Sequence, residues 1–247
     1  MILKEQPTDK VLGLFSRAKL YIMKNQKQLG LGLAISAGLA LLATGYWGYS
    51  QWLHARAYKA FLVALKYHDA PVVAGITKDT DEQVTFPDNE TKWKKVEDML
   101  TTGFKKYKST TVGSMFGVLL ADMFITQGKN EQAIETLDKA VYYIPSTGLK
   151  EFYALKLALL KMDSTNEARK KEGFDTLKIM AEKVSDYTHE AALYHMGFYY
   201  WNKKNYQEAQ NFWRQLITRY GTKEAGKQGG FSDMAKQKLS LISTDFD

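Results

Sequence analysis

Four histidines are the first residues to weigh for chemistry in this chain, and none sits in a reactive pattern. His54, His68, His189 and His195 show neither metal-ligand nor triad spacing. His189 and His195 are six residues apart, so on a helix they point to different faces. Cysteine is absent, which excludes disulfides, thiolate metal sites and thiol nucleophiles. Gly30-Leu31-Gly32 has the outline of a phosphate loop, but no strand precedes it and it lies inside an apolar run. Asp122 interrupts an otherwise apolar helix and reads as a solvated or groove-facing acid rather than a catalytic one. The expectation is a protein with no catalytic, cofactor-binding or metal-binding residue, and not an enzyme.

The residues that carry a pattern are small and aromatic ones at repeat spacing. Ser114–Pro145 contains Leu120-Ala121, Phe124, Gly128, Ala133, Leu137, Ala140 and Pro145. Glu190–Gly221 contains Met196-Gly197, Tyr200, Tyr206, Ala209, Trp213 and Leu216. Both fit the tetratricopeptide pattern of about 34 residues, two helices joined by a turn. Ala121 to Ala133 spans twelve residues, as does Gly197 to Ala209. Small side chains at these four places let the paired helices approach, and the large residues that follow fill the gap to the next pair. A weaker copy lies between. Phe152, Leu155, Ala158 and Leu159 form its first helix, and Gly173, Leu177 and Met180 its second, after a longer turn over 162–171. Ala57–Tyr67 with the helix of Trp93 and Leu100 makes an interrupted first copy, split by a Pro/Gly/Asp-rich loop at 69–89. A Lys-rich helix at 231–242 caps the end. In this repeat class the first helix of each pair lines the concave face. Register places Met115, Val118, Asp122 and Ile125 there in one repeat, and Tyr194, Phe198, Trp201 and Asn202 in the other. Such a stripe either clamps a peptide or helix of another protein, or packs against the capping helix.

A different element precedes the repeats. Residues 28–53 carry no charge, and Leu29–Tyr49 is apolar almost throughout. A helix of about 20 residues spans a bilayer core about 30 Å thick. The run exceeds the roughly 7–15 apolar residues of a cleaved signal. Tyr46, Trp47, Tyr49 and Trp52 gather at one end, as in an interfacial belt. Gly30, Ala34, Gly38 and Gly45 share one face and would allow another membrane helix to approach. The net charge is +7, and more than half of it lies in the tail 1–27, where six basic residues face two acidic ones. That pattern suits anionic lipid better than nucleic acid, and it orients the tail to the cytoplasm and residues 54–247 across the membrane. Asn89-Glu90-Thr91 matches a glycosylation sequon by chance.

A basic tail, one anchor and a short tetratricopeptide solenoid together resemble the bacterial YfgM-type proteins. The likeness rests on residues 21–52 and on Ala121, Ala133, Gly197 and Ala209 with their partners. It implies an inner-membrane protein with a periplasmic domain, associated with the Sec translocon and its chaperones, holding partner proteins without chemistry. The expected fold is all-α: a single membrane helix, then a right-handed solenoid. The competing expectation is an assembly subunit of a large membrane or cell-surface complex that docks on one fixed partner.

Overall fold

A computed structural model describes residues 23–24, 26–76, 78–79, 83–184, 188–221 and 230–244, with the side chains of 26–34 and 243–244 outside that description. The chain divides into two compact units, residues 1–53 and 54–247. Helix α1, Gln26–His68, begins in the first and ends in the second.

From Ile35 to Leu53, α1 exposes apolar side chains around the helix. Ile35, Leu39, Leu41, Leu42, Tyr46 and Trp47 are all exposed, and the rings of Tyr49 and Trp52 lie 5.9 Å apart. Thr44 satisfies its hydroxyl within the helix by donating to the carbonyl of Ala40 at 2.9 Å. A β-carbon at Gly38 or Gly45 would have nothing within 4 Å. Gly30 and Ala34 lie outside the described side chains. Among the described residues no helix is long and apolar enough to cross a membrane, so the span expected over 28–53 is not met by them.

Among the described residues the second unit is helical apart from one small ribbon. The segment 69–89, expected as plain loop, contains strands β1 (Lys78–Asp79) and β2 (Val84–Thr85), paired antiparallel. Phe86 continues the ribbon by accepting from Val73 N–H at 2.8 Å and donating to the Pro71 carbonyl at 3.1 Å. Val84 and Phe86 bury themselves with Ala70 against Tyr67, which is why a polar-looking segment orders here.

Among the described residues eight helices follow: α2 (Asn89–Tyr107), α3 (Gly113–Thr126), α4 (Asn130–Tyr143), α5 (Thr147–Met162), α6 (Glu167–Glu182), α7 (His189–Asn202), α8 (Tyr206–Tyr220) and α9 (Phe231–Thr244). Close packing joins α3 to α4, α5 to α6 and α7 to α8, and each pair to the next. Helix α2 packs on α3, while Phe61 near the end of α1 meets Phe116 of α3 edge to face at 5.1 Å. Helix α9 closes against α8 and α7, burying Ala235 and Ile242.

The pairs share a turn device. Gly128 and Lys204 both have left-handed backbones, φ +71° and +58°, and each lies seven residues beyond its small residue, Ala121 or Gly197. Glycine adopts that conformation freely, whereas a lysine is strained there. The middle pair differs from expectation. Its turn covers only 163–166, because the Asn166 side chain caps α6 by accepting from Ala168 N–H and Arg169 N–H at 2.9 and 3.3 Å. The additional residues lengthen the helices to 16 each, against 14 for α3 and α4.

Candidate functional site

The small residues set how close each pair sits. Ala121, Ala133 and Ala209 are fully buried, as is Gly197. A β-carbon at Gly197 would stand 2.6 Å from Cδ1 and 2.7 Å from Cε2 of Trp213. The indole is held against α7 by Nε1, which donates to the Tyr194 carbonyl at 3.1 Å. In the middle pair a β-carbon at Gly173 would stand 2.9 Å from the Met162 nitrogen, so Ala158 and Gly173 make the matching contact.

Seating α7 this way forms a groove of about 780 Å³ between α5, α6 and α7. Its floor is Leu159, Met162, Phe174, Phe198 and Tyr199, and Phe174 lies 4.8 Å from Tyr199 ring to ring. Asn202 stands exposed at one end and offers both a donor and an acceptor. Lys170, Lys171 and Lys203 ring the opening with Asp163 and Glu167. Lys170 is paired with Glu167 and Lys171 with Asp175, each at 2.6 Å. His195 also lines the groove, and burial pushes its pKa below the ordinary histidine value. Burial favours its neutral form, and the ring packs on Phe231 at 5.9 Å.

Of the side chains expected on the concave face, Phe198 and Asn202 reach this groove. Tyr194 is buried, 6% exposed, stacked on Phe198 and lying 5.4 Å from Phe231 of α9. Trp201 is half-buried, with the Lys238 ammonium of α9 3.8 Å from its ring centre. The capping helix thus covers much of the α7 stripe. On α3, Val118 belongs to the core with Ile134 and Leu157, and Met115 packs beside it. Asp122 is paired with Lys156 of α5 at 2.5 Å, and Ile125 is half-buried. These four residues do not line the groove.

The register of the two clear repeats does not by itself place Leu159, Met162, Phe174 and Tyr199 in the groove. A signal for the first two was present. They lie one and four residues after Ala158, as Asp122 and Ile125 follow Ala121, and as Phe198 and Trp201 follow Gly197.

The histidines perform structural work. His189 is buried with Nδ1 2.6 Å from the Tyr220 hydroxyl, and His54 Nδ1 accepts from Thr111 N–H at 3.3 Å. Among the described residues no three histidine or acidic side chains converge to hold a metal ion.

Ionic ties hold the second pair to the first. Arg169 of α6 reaches both Glu131 and Glu135 of α4, and Ser164 donates to Glu131 at 2.5 Å. Lys161 bridges Asp138 and Glu172; burial disfavours its charge, but the two carboxylates outweigh that and raise its pKa.

Residues 118–147 and 190–222 match the tetratricopeptide repeat family. The two tetratricopeptide segments cover most of α3–α4 and of α7–α8. No curated protein matches the chain. Tetratricopeptide repeats make protein–protein interaction scaffolds and are typically non-enzymatic, and the groove lies between the second matched repeat and the pair before it.

Proposed function

We propose that this protein is a non-enzymatic scaffold of the bacterial inner membrane. It holds a segment of another envelope protein in the groove between α5, α6 and α7. The observation that carries the binding role is that groove. It is a groove with an aromatic floor, a charged rim and an exposed amide at its end, set between the α5–α6 pair and the second matched repeat. Such a surface recognises a protein segment through buried anchors and a polar rim.

The anchor is supported by the uncharged run 28–53 and by the exposure of its apolar side chains from Ile35 onward. Six leucine, isoleucine and aromatic side chains facing outward on all sides of a helix are costly in water and at home in lipid. The flanking basic residues favour a cytoplasmic tail and a periplasmic domain. That arrangement agrees with the YfgM-type resemblance, and with it a place beside the Sec translocon and periplasmic chaperones.

Two experiments test this reading. Protease added to intact spheroplasts should digest residues 54–247 and spare the tail; protection of the domain would refute the orientation. Mild crosslinking followed by pull-down should return several envelope proteins at substoichiometric levels. One stoichiometric partner would instead identify an assembly subunit.

A further inference from the structure

The two seams that join the three helix pairs are held by different forces. The middle pair gives four buried side chains, Leu155, Leu177, Met180 and Ala181, to the core it shares with α7, α8 and α9. To the core it shares with α3 and α4 it gives one, Leu157, which joins Ile134, Leu137 and Val141 of α4. Tyr153 and Leu160 are only half-buried beside it. Apolar burial therefore makes α5–α9 one block and ties α3–α4 to that block much less.

Charge supplies what the first seam lacks. Lys156 of α5 pairs with Asp122 of α3 at 2.5 Å, and Lys161 of α5 with Asp138 of α4 at 3.3 Å. Arg169 of α6 holds both Glu131 and Glu135 of α4, and Glu131 also accepts from Ser164. Among the described residues no ion pair joins α5–α6 to α7–α8. Contacts such as Phe174 on Tyr199, 4.8 Å between ring centres, hold that second seam instead. The four carboxylate side chains of the first seam are 40–59% exposed, so dissolved ions reach every tie. Screening acts over about 10 Å at 0.1 M salt and about 3 Å at 1 M, which is the length of these pairs. Ring and aliphatic contacts are not weakened in that way.

We propose that the seam between α3–α4 and α5–α6 is a joint governed by ionic strength. At low salt the lysine and arginine ties hold it shut. As salt rises it opens more often, and α5–α9 moves as one block with its groove unchanged, because the groove's walls all belong to that block. The joint does not depend on what the groove holds.

Cysteine is absent from the chain, so single introduced thiols report cleanly. Leu155→Cys and Leu157→Cys make the same change on one helix, at 7% and 8% exposure, one in each core. Full-length variants in nonionic detergent micelles are treated with a thiol reagent at about 50 mM and about 1 M sodium chloride. The labelling rate of Leu157→Cys should rise roughly three- to tenfold with salt, and that of Leu155→Cys by less than about twofold. Adding Arg169→Met should speed labelling of Leu157→Cys at low salt and shrink its response to salt. Equal salt responses at the two thiols, or a Leu157→Cys rate indifferent to salt, would overturn the joint. Spin labels give a second measurement that leaves both cores intact, on cysteines replacing the exposed Lys139, Lys178 and Arg214. The distance distribution between positions 139 and 178 should broaden at high salt, while that between 178 and 214 stays as it is. A 139–178 distribution that does not change, or one that changes together with 178–214, would also overturn it.

Discussion

Replacing Gly197 with alanine is the sharpest test of how the last repeat is held together. The added methyl would stand 2.6 and 2.7 Å from Cδ1 and Cε2 of Trp213, where ordinary contact begins near 3.4 Å. The indole is fully buried, with Tyr194 and Trp201 beside it at 6.4 and 5.8 Å, so it has no free space to enter. Withdrawing by about 1 Å would stretch the bond from Nε1 to the Tyr194 carbonyl, now 3.1 Å, beyond useful length. Overpacking costs about 1–3 kcal/mol and the lost bond about 0.5–1.5, against a gain of about 0.5–1 from replacing a helical glycine. The net is a destabilisation of about 1–3 kcal/mol, and in a domain of this size each kcal/mol lowers the midpoint by about 2–4 °C. Far-UV circular dichroism melts of Gly197→Ala and wild type, under the same conditions, measure it. A drop of about 2–12 °C is expected, with a changed tryptophan emission spectrum. A midpoint equal to or above that of wild type would refute the assigned contact between α7 and α8.

Three further outcomes follow from other contacts. Lys204→Gly should raise the unfolding free energy slightly, by about 0.5–1 kcal/mol, because it relieves a left-handed backbone at φ +58°; chemical denaturation measures it. His195, its pKa depressed by burial, contributes stability that is complete above the unfolded value of about 6.5 and is lost as pH falls through the folded value. Melting profiles from neutral to mildly acidic pH should therefore fall more steeply for wild type than for His195→Leu, and parallel profiles would count against the buried neutral ring. Asp88 accepts from Thr91 N–H at 2.6 Å and caps α2, and bonds from Thr91 hold its pKa below the usual carboxylate value. Asp88→Ala should speed amide exchange in the first turn of α2, and wild type should approach the variant as pH falls through the folded Asp88 pKa.

The two repeats were legible because their information is local. Small residues twelve apart and aromatics at helical spacing fix which faces meet, whatever lies elsewhere. The middle pair was legible as helices but not at its turn, because the length was absorbed into α5 and α6, and Asn166 decides where α6 starts. The ribbon at 69–89 escaped because two-residue strands carry no periodicity, and Phe86 orders them through contacts with Tyr67 and Ala70. The groove escaped in part for the opposite reason. Phe198 and Asn202 follow from register on one helix. Leu159, Met162 and Phe174 matter only once α5, α6 and α7 are set side by side. That the capping helix would cover Tyr194 and Trp201 was one of two readings the spacing allowed, and Phe231 and Lys238 decide it.

Close helix contacts in residues 54–247 join elements one or two places apart in the chain. Little of the polymer must therefore wait for distant sequence before it gains partners. As the polypeptide emerges from the ribosome, α3 and α4 can zip together while α8 is still unmade. An ordering of this kind leaves few greasy surfaces uncovered during delivery, and a fault near the C-terminus would leave the earlier turns of the superhelix standing.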